Sequence, residues 1–228
     1  MDNSRSNLDE ASVRLLLAEH ERISTLFVEN RLMGERRTTL FLTLFTLAAP
    51  AIGAFSQYAK TGFLTPLNLG AVAVLLLVGV LTFYRLIERR IVGMELLRAI
   101  NRIHRYFVEH DPGLAGYLSW KPDETAVRYV EHRGTMPGLR DLVQILNCVL
   151  TGFITAGAVG LAAPAVSPVV LAFAVLAPAA LAWVAQQRIE EFWLTRAQAA
   201  ADQAFAGGRL GRSGESAALT LPPSAGSR

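Results

Sequence analysis

The chain has 228 residues, of which 52% are hydrophobic and 18% charged, with a net charge of +3 and a mean hydropathy of +0.33. This is too apolar for an ordinary water-soluble domain of the same length, and the basic residues form no compact patch with interleaved aromatics of the kind that grips nucleic acid. A single cysteine, Cys148, excludes an intrachain disulfide framework and any zinc site built from cysteines.

Residues 1–37 open the chain with a helix-start signal, Ser6 followed by Asp9, and then Val13, Leu16, His20, Ile23, Phe27 and Asn30 at alternating steps of three and four. That spacing predicts an amphipathic helix running to about Met33, with Gly34 and the ERR cluster marking the approach to a membrane. Four runs without Asp, Glu, Lys or Arg follow, at 38–59, 61–84, 142–163 and 164–187. Each is long enough for the ~20 residues of a spanning helix. They pair into two hairpins, 38–84 and 141–187, because the intervening turns are short. Pro50 and Pro178 fall inside these runs, where neighbouring helices can satisfy the carbonyl that proline leaves free.

Between the hairpins, residues 85–140 begin as a helix that continues the second span. Gly93, Leu96, Ile100, Ile103 and Phe107 form one face, while Glu95, Arg98, Arg102, Arg105 and Glu109 repeat on the opposite one. The first set is the expected docking face, and Arg98 and Arg102 are expected in water. The helix should stop at Asp111, because Pro112 disfavours helical geometry in the residue before it. Residues 114–137 read mostly as loop, with a short element around 126–131. The fourth span extends through 188–206 and is expected to end at Gly207 and Gly208, leaving 207–228 as a disordered tail.

Of the 22 Lys and Arg residues, 21 lie in 1–37, 85–140 and 188–228, and none of the 19 acidic residues enters a charge-free run. The positive-inside rule then places both termini and the central segment in the cytoplasm. Arg85, Arg89 and Arg90 read chiefly as topology signals.

Within the spans, Thr39, Thr43, Thr46, Pro50, Gly53 and Gln57 recur at steps of four and three, as do Gln144, Cys148, Thr151, Thr155, Ala158 and Ala162. Such stripes serve either helix packing or a wetted path. No ionisable group lies deep in a span, which argues against proton-coupled transport. The four histidines, His20, His104, His110 and His132, show no paired-ligand spacing along the chain. No phosphate-binding loop or nucleophile motif occurs. The sequence therefore points to no enzyme, no metal and no cofactor.

The stretch RAINRIHRYFVEHDPGLAGYL resembles a phrase found in small, uncharacterised bacterial multi-pass membrane proteins. The layout of a cytoplasmic helix feeding a membrane hairpin that returns into a cytoplasmic helix is similar to the SLATT-type effector domains of bacterial defence systems. That resemblance implies oligomerisation and membrane permeabilisation; this chain differs in having two hairpins and no recognisable nucleotide sensor. The resulting expectation is an all-α, four-span protein of the bacterial inner membrane with amphipathic cytoplasmic extensions. Its expected partners are the lipid bilayer, further copies of itself and a cytoplasmic protein. The function expected first is an oligomeric pore or membrane-perturbing effector; the alternative is a non-conducting scaffold or regulatory subunit.

Overall fold

The computed structural model describes residues 10–58, 65–118, 138–163 and 165–218. All regular structure among them is helical: α1 (Glu10–Tyr58), α2 (Pro66–His110), a 3-10 turn at Pro112–Gly116, α3 (Leu139–Ala162) and α4 (Pro168–Ala218). Each of the four α-helices contains a stretch long and apolar enough to cross a membrane, the composition of a multi-pass membrane protein.

Local chemistry sets several helix ends. Thr65 caps α2 by accepting the Asn68 N–H at 3.3 Å, with Pro66 at the first helical position. At its other end Asp111 turns extended, with φ −132° and ψ 94°, as the residue before a proline should. Its carboxylate accepts the Gly113 N–H at 3.0 Å. Asp141 starts α3 by accepting the Gly138 N–H at 3.0 Å.

Two expected breaks do not occur. α1 passes without interruption through Gly34, and α4 passes through Gly207 and Gly208 to Ala218. A glycine inside a helix costs only about 1 kcal/mol relative to alanine, which an already nucleated helix absorbs. Gly34 faces α2, where a Cβ would make ordinary van der Waals contact, 3.8 Å from the side chains of Leu86 and Arg89.

Consequently α1, with 49 residues, α2, with 45, and α4, with 51, far exceed bilayer thickness, whereas α3, with 24, matches it. The charged halves of the three long helices lie on one side, tied to one another by the contacts described below. Each helix packs mainly on its neighbour in the chain, α1 on α2, α2 on α3 and α3 on α4, while among the described residues α1 and α4 do not meet. The helices thus stand as an open row. About a third of the most apolar stretch is buried in α2 and in α3 (33% each), against 11% in α1 and 0% in α4.

Two apolar clusters hold the row. In the apolar half Phe41, Val72, Leu75, Phe83, Ile87, Val143 and Leu150 bring α1, α2 and α3 together. In the charged half Ile23 of α1 packs with Ile100 and Ile103 of α2, flanked by Leu96, Ala99 and Phe107. The residues of the expected docking face therefore turn toward α1.

Candidate functional site

The richest concentration of polar chemistry is a ladder along the α3–α4 seam. Gln144 is 0% exposed and Asn147 1%. Gln144 accepts from Gln187 Nε2 at 3.1 Å and donates to the Trp183 carbonyl at 3.4 Å. Asn147 Nδ2 donates to Gln186 Oε1 at 3.3 Å, and Gln186 Nε2 reaches Cys148 Sγ at 3.5 Å. Deeper in, Thr151 bonds its own helix at the Asn147 carbonyl, 2.8 Å away, and Thr155 Oγ1 crosses to the Ala174 carbonyl at 2.5 Å. Gly152 lies between these two threonines. A Cβ there would stand 2.8 Å from the Val175 carbonyl oxygen, so the backbones touch because the side chain is absent.

At the charged end the ladder is closed by Glu190, which is 4% exposed. Its Oε1 accepts from Arg90 Nη1 of α2 at 2.9 Å and from Arg140 Nη1 of α3. Arg140 also pairs with Asp141. A carboxylate this deeply buried is tolerable only because two guanidinium groups neutralise it, and the knot joins three helices through one oxygen atom. The other oxygen, Oε2, is buried without a hydrogen-bond partner. Within the ladder, Asn147 Oδ1 has no N–H partner either and abuts Gly79 of α2, where a Cβ would lie 2.0 Å away. This tight approach needs glycine at 79, and it leaves the oxygen facing a Cα–H group, a weak acceptor contact.

Beyond the knot, the charged halves are cross-linked in turn. Asn30 Nδ2 donates to the Arg89 carbonyl at 2.8 Å, and Arg89 Nη1 returns a bond to Asn30 Oδ1 at 3.2 Å. Arg98, expected in water, is 8% exposed: it donates to Gln198 at 3.1 Å and pairs with Asp202 at 3.6 Å, because α4 continues alongside α2 and covers that face. Arg102 is exposed as expected. His20 of α1 and His104 of α2 meet with their Nε2 atoms 3.0 Å apart. Burial, followed by the charge of His20, holds the His104 pKa below the ordinary histidine value.

The two polar stripes do not come together. Thr39, Thr43 and Thr46 lie on the exposed side of α1, and Thr38 is the threonine buried against the core. Thr39 and Thr46 bond backbone carbonyls of their own helix, at Glu35 and Thr43, 2.9 and 3.0 Å away. The Gln57 side chain lies outside the described residues. Gln144, Thr151 and Thr155 instead turn inward along the α3–α4 seam, so among the described residues the two stripes do not face each other.

Sequence reasoning missed Asn147, Gln186, Gln187 and Glu190, and read Arg90 chiefly as a topology signal. A signal was present: Arg140, Gln144, Asn147 and Thr151 recur at steps of four, three and four, and Gln186 or Gln187 stands one turn before Glu190. Trimming the spans at their charged residues left Arg140 and Glu190, the two ends of this series, outside them. Comparison with known proteins adds no relative: no family model matches the chain, and neither does any curated protein or solved structure.

Proposed function

We propose that the chain is a non-conducting membrane scaffold or regulatory subunit, resident in the bacterial inner membrane with both termini cytoplasmic, that presents its charged helical arm to a partner protein. The observation that carries this reading is the α3–α4 ladder: Gln144 and Asn147 are essentially unexposed and bond Gln187 and Gln186 across the seam, and Thr155 bonds the Ala174 carbonyl, so this polar stripe is taken up by helix packing. The partner surface is supported by apolar side chains that stand exposed on the charged half of α1, among them Leu15, Leu17, Val28 and Leu32. The sorting of basic residues supports the orientation.

A second reading is favoured by one observation. Thr39, Thr43 and Thr46 face outward on an end helix of an open row, so a ring of copies could turn this stripe toward a shared lumen and form an oligomeric pore. Ion flux in proteoliposomes separates the two. The scaffold reading expects none from the wild type at any oligomeric state; flux that Thr46→Leu abolishes while leaving assembly intact would sink it in favour of the pore. Reporter fusions at Arg228 and in the DPGLAG segment should report cytoplasm, and a tag between Pro164 and Ser167 should report periplasm.

A further inference from the structure

We propose that His20 and His104 form a two-histidine site for a divalent transition-metal ion, zinc in the first instance, which staples α1 to α2. The two residues stand 84 positions apart in sequence and on different helices, so no spacing along the chain could announce them. Their Nε2 atoms face each other at 3.0 Å, with ring centroids 5.0 Å apart and planes tilted by 31°. Such a pair holds a single proton between its facing nitrogens: one imidazole donates and the other accepts. A metal ion can replace that proton.

The dimensions suit the exchange. With Zn–N bonds of about 2.0–2.1 Å and a tetrahedral angle, two imidazole nitrogens lie roughly 3.3–3.4 Å apart and their ring centroids about 5.2 Å. The rings would need to swivel and part by a few tenths of an ångström, with the backbone unmoved. That backbone is fixed close by, because Ile23, one turn beyond His20, packs on Ile100 and Ile103 next to His104. Two imidazoles favour zinc, nickel or copper over magnesium and calcium, which seek oxygen donors.

Among the described residues no group of three or more His, Cys, Asp or Glu side chains gathers around a common point. Two coordination positions are thus left to solvent, and the ion should exchange readily and be removed by EDTA. Because it binds both helices of the folded hairpin and neither one as well alone, it should raise thermal stability in a concentration-dependent way.

The test uses the full chain without a polyhistidine tag, in detergent, stripped with EDTA. Zinc titrated against a chromophoric chelator should load one ion per chain and raise the melting temperature. His20→Gln and His104→Gln should each abolish both effects, and the double variant His110→Gln/His132→Gln should keep them. Zinc uptake equal in the wild type and the His20→Gln/His104→Gln double variant overturns the site. Should the glutamine variants fail to fold, the paramagnetic resonance spectrum of copper-loaded wild type decides alone. Two coordinated imidazole nitrogens support the site, and fewer than two overturn it.

Discussion

The two helical hairpins are closed by different forces. Where α1 and α2 run beyond their apolar stretches, Ile23, Ile100 and Ile103 remove hydrocarbon from water, beside polar contacts that include the Asn30–Arg89 clasp and the histidine pair. α3 and α4 meet inside their apolar stretches, where lipid would solvate a leucine as well as protein does. Their seam is held by bare backbone at Gly152, by amide and hydroxyl bonds from Gln144 to Thr155, and by the Glu190 knot. The α1–α2 extension thus relies mainly on burial where water is the competitor, and the α3–α4 seam on polar cross-links and close backbone approach where lipid is.

This contrast can be broken at specific points. The largest effect is expected from Ile103→Asp, which removes a buried branched side chain and puts a carboxylate in its place. The charged half of the α1–α2 hairpin should lose about 4 kcal/mol, whereas Arg102→Ala should stay within about 0.5 kcal/mol. Equal thermal stability of the two variants in detergent would refute burial as the closing force. Next comes Glu190→Gln, expected to cost about 3 kcal/mol, the lower end of the range for breaking a buried ion pair, because Arg140 keeps Asp141 while Arg90 loses its counter-charge. Denaturant unfolding followed by tryptophan fluorescence would measure it.

Third is Gly152→Ala, whose added carbon meets a backbone carbonyl that cannot swing aside; about 1–3 kcal/mol of overpacking is expected. Gly53→Ala, where nothing lies within 4 Å, is the control in the same unfolding assay and should cost nothing, gaining up to about 1 kcal/mol from helix propensity. The smallest effect sharpens the difference between the stripes. Thr155→Val removes a bond that crosses between helices and should cost about 0.6 kcal/mol, rising toward 1.7 at most, while Thr46→Val removes only a bond to its own helix and should be silent. A Thr46→Val loss larger than that of Thr155→Val would mean that α1 has an unseen neighbour.

Much of the fold could be read directly because charge is sorted so cleanly: the four spans, the stop at Asp111 and the inward face of Leu96, Ile100, Ile103 and Phe107 follow from periodicity and composition. The continuity of α1 could not. Gly34 looks like a break in one dimension, and only the structure shows that it lies against Leu86 and Arg89 within a continuous helix. Arg98 was misplaced for a related reason, since helical periodicity gives a residue's face but not which helix covers it. The ladder was half legible. Gln144, Thr151 and Thr155 stood out against an apolar background, but Glu190 lay past the last uncharged residue and acquired meaning only from Arg90 and Arg140, which are 100 and 50 residues away. The histidine pair left no trace along the chain.

The length of α2 fixes a distance. Of its 45 residues roughly 20 suffice to cross the hydrocarbon, and the remaining ~25, at about 1.5 Å each, carry the helix some 37 Å beyond it. α1 runs beside it through the histidine pair, and α4 accompanies it at least as far as Asp202. Three helices stand side by side in this way, with His110 at the end of α2. Anything that binds the tip would be held at a set height above the lipid surface, facing one direction, instead of wandering on a tether. The geometry of such a complex would be dictated by the membrane protein and only its identity by the guest.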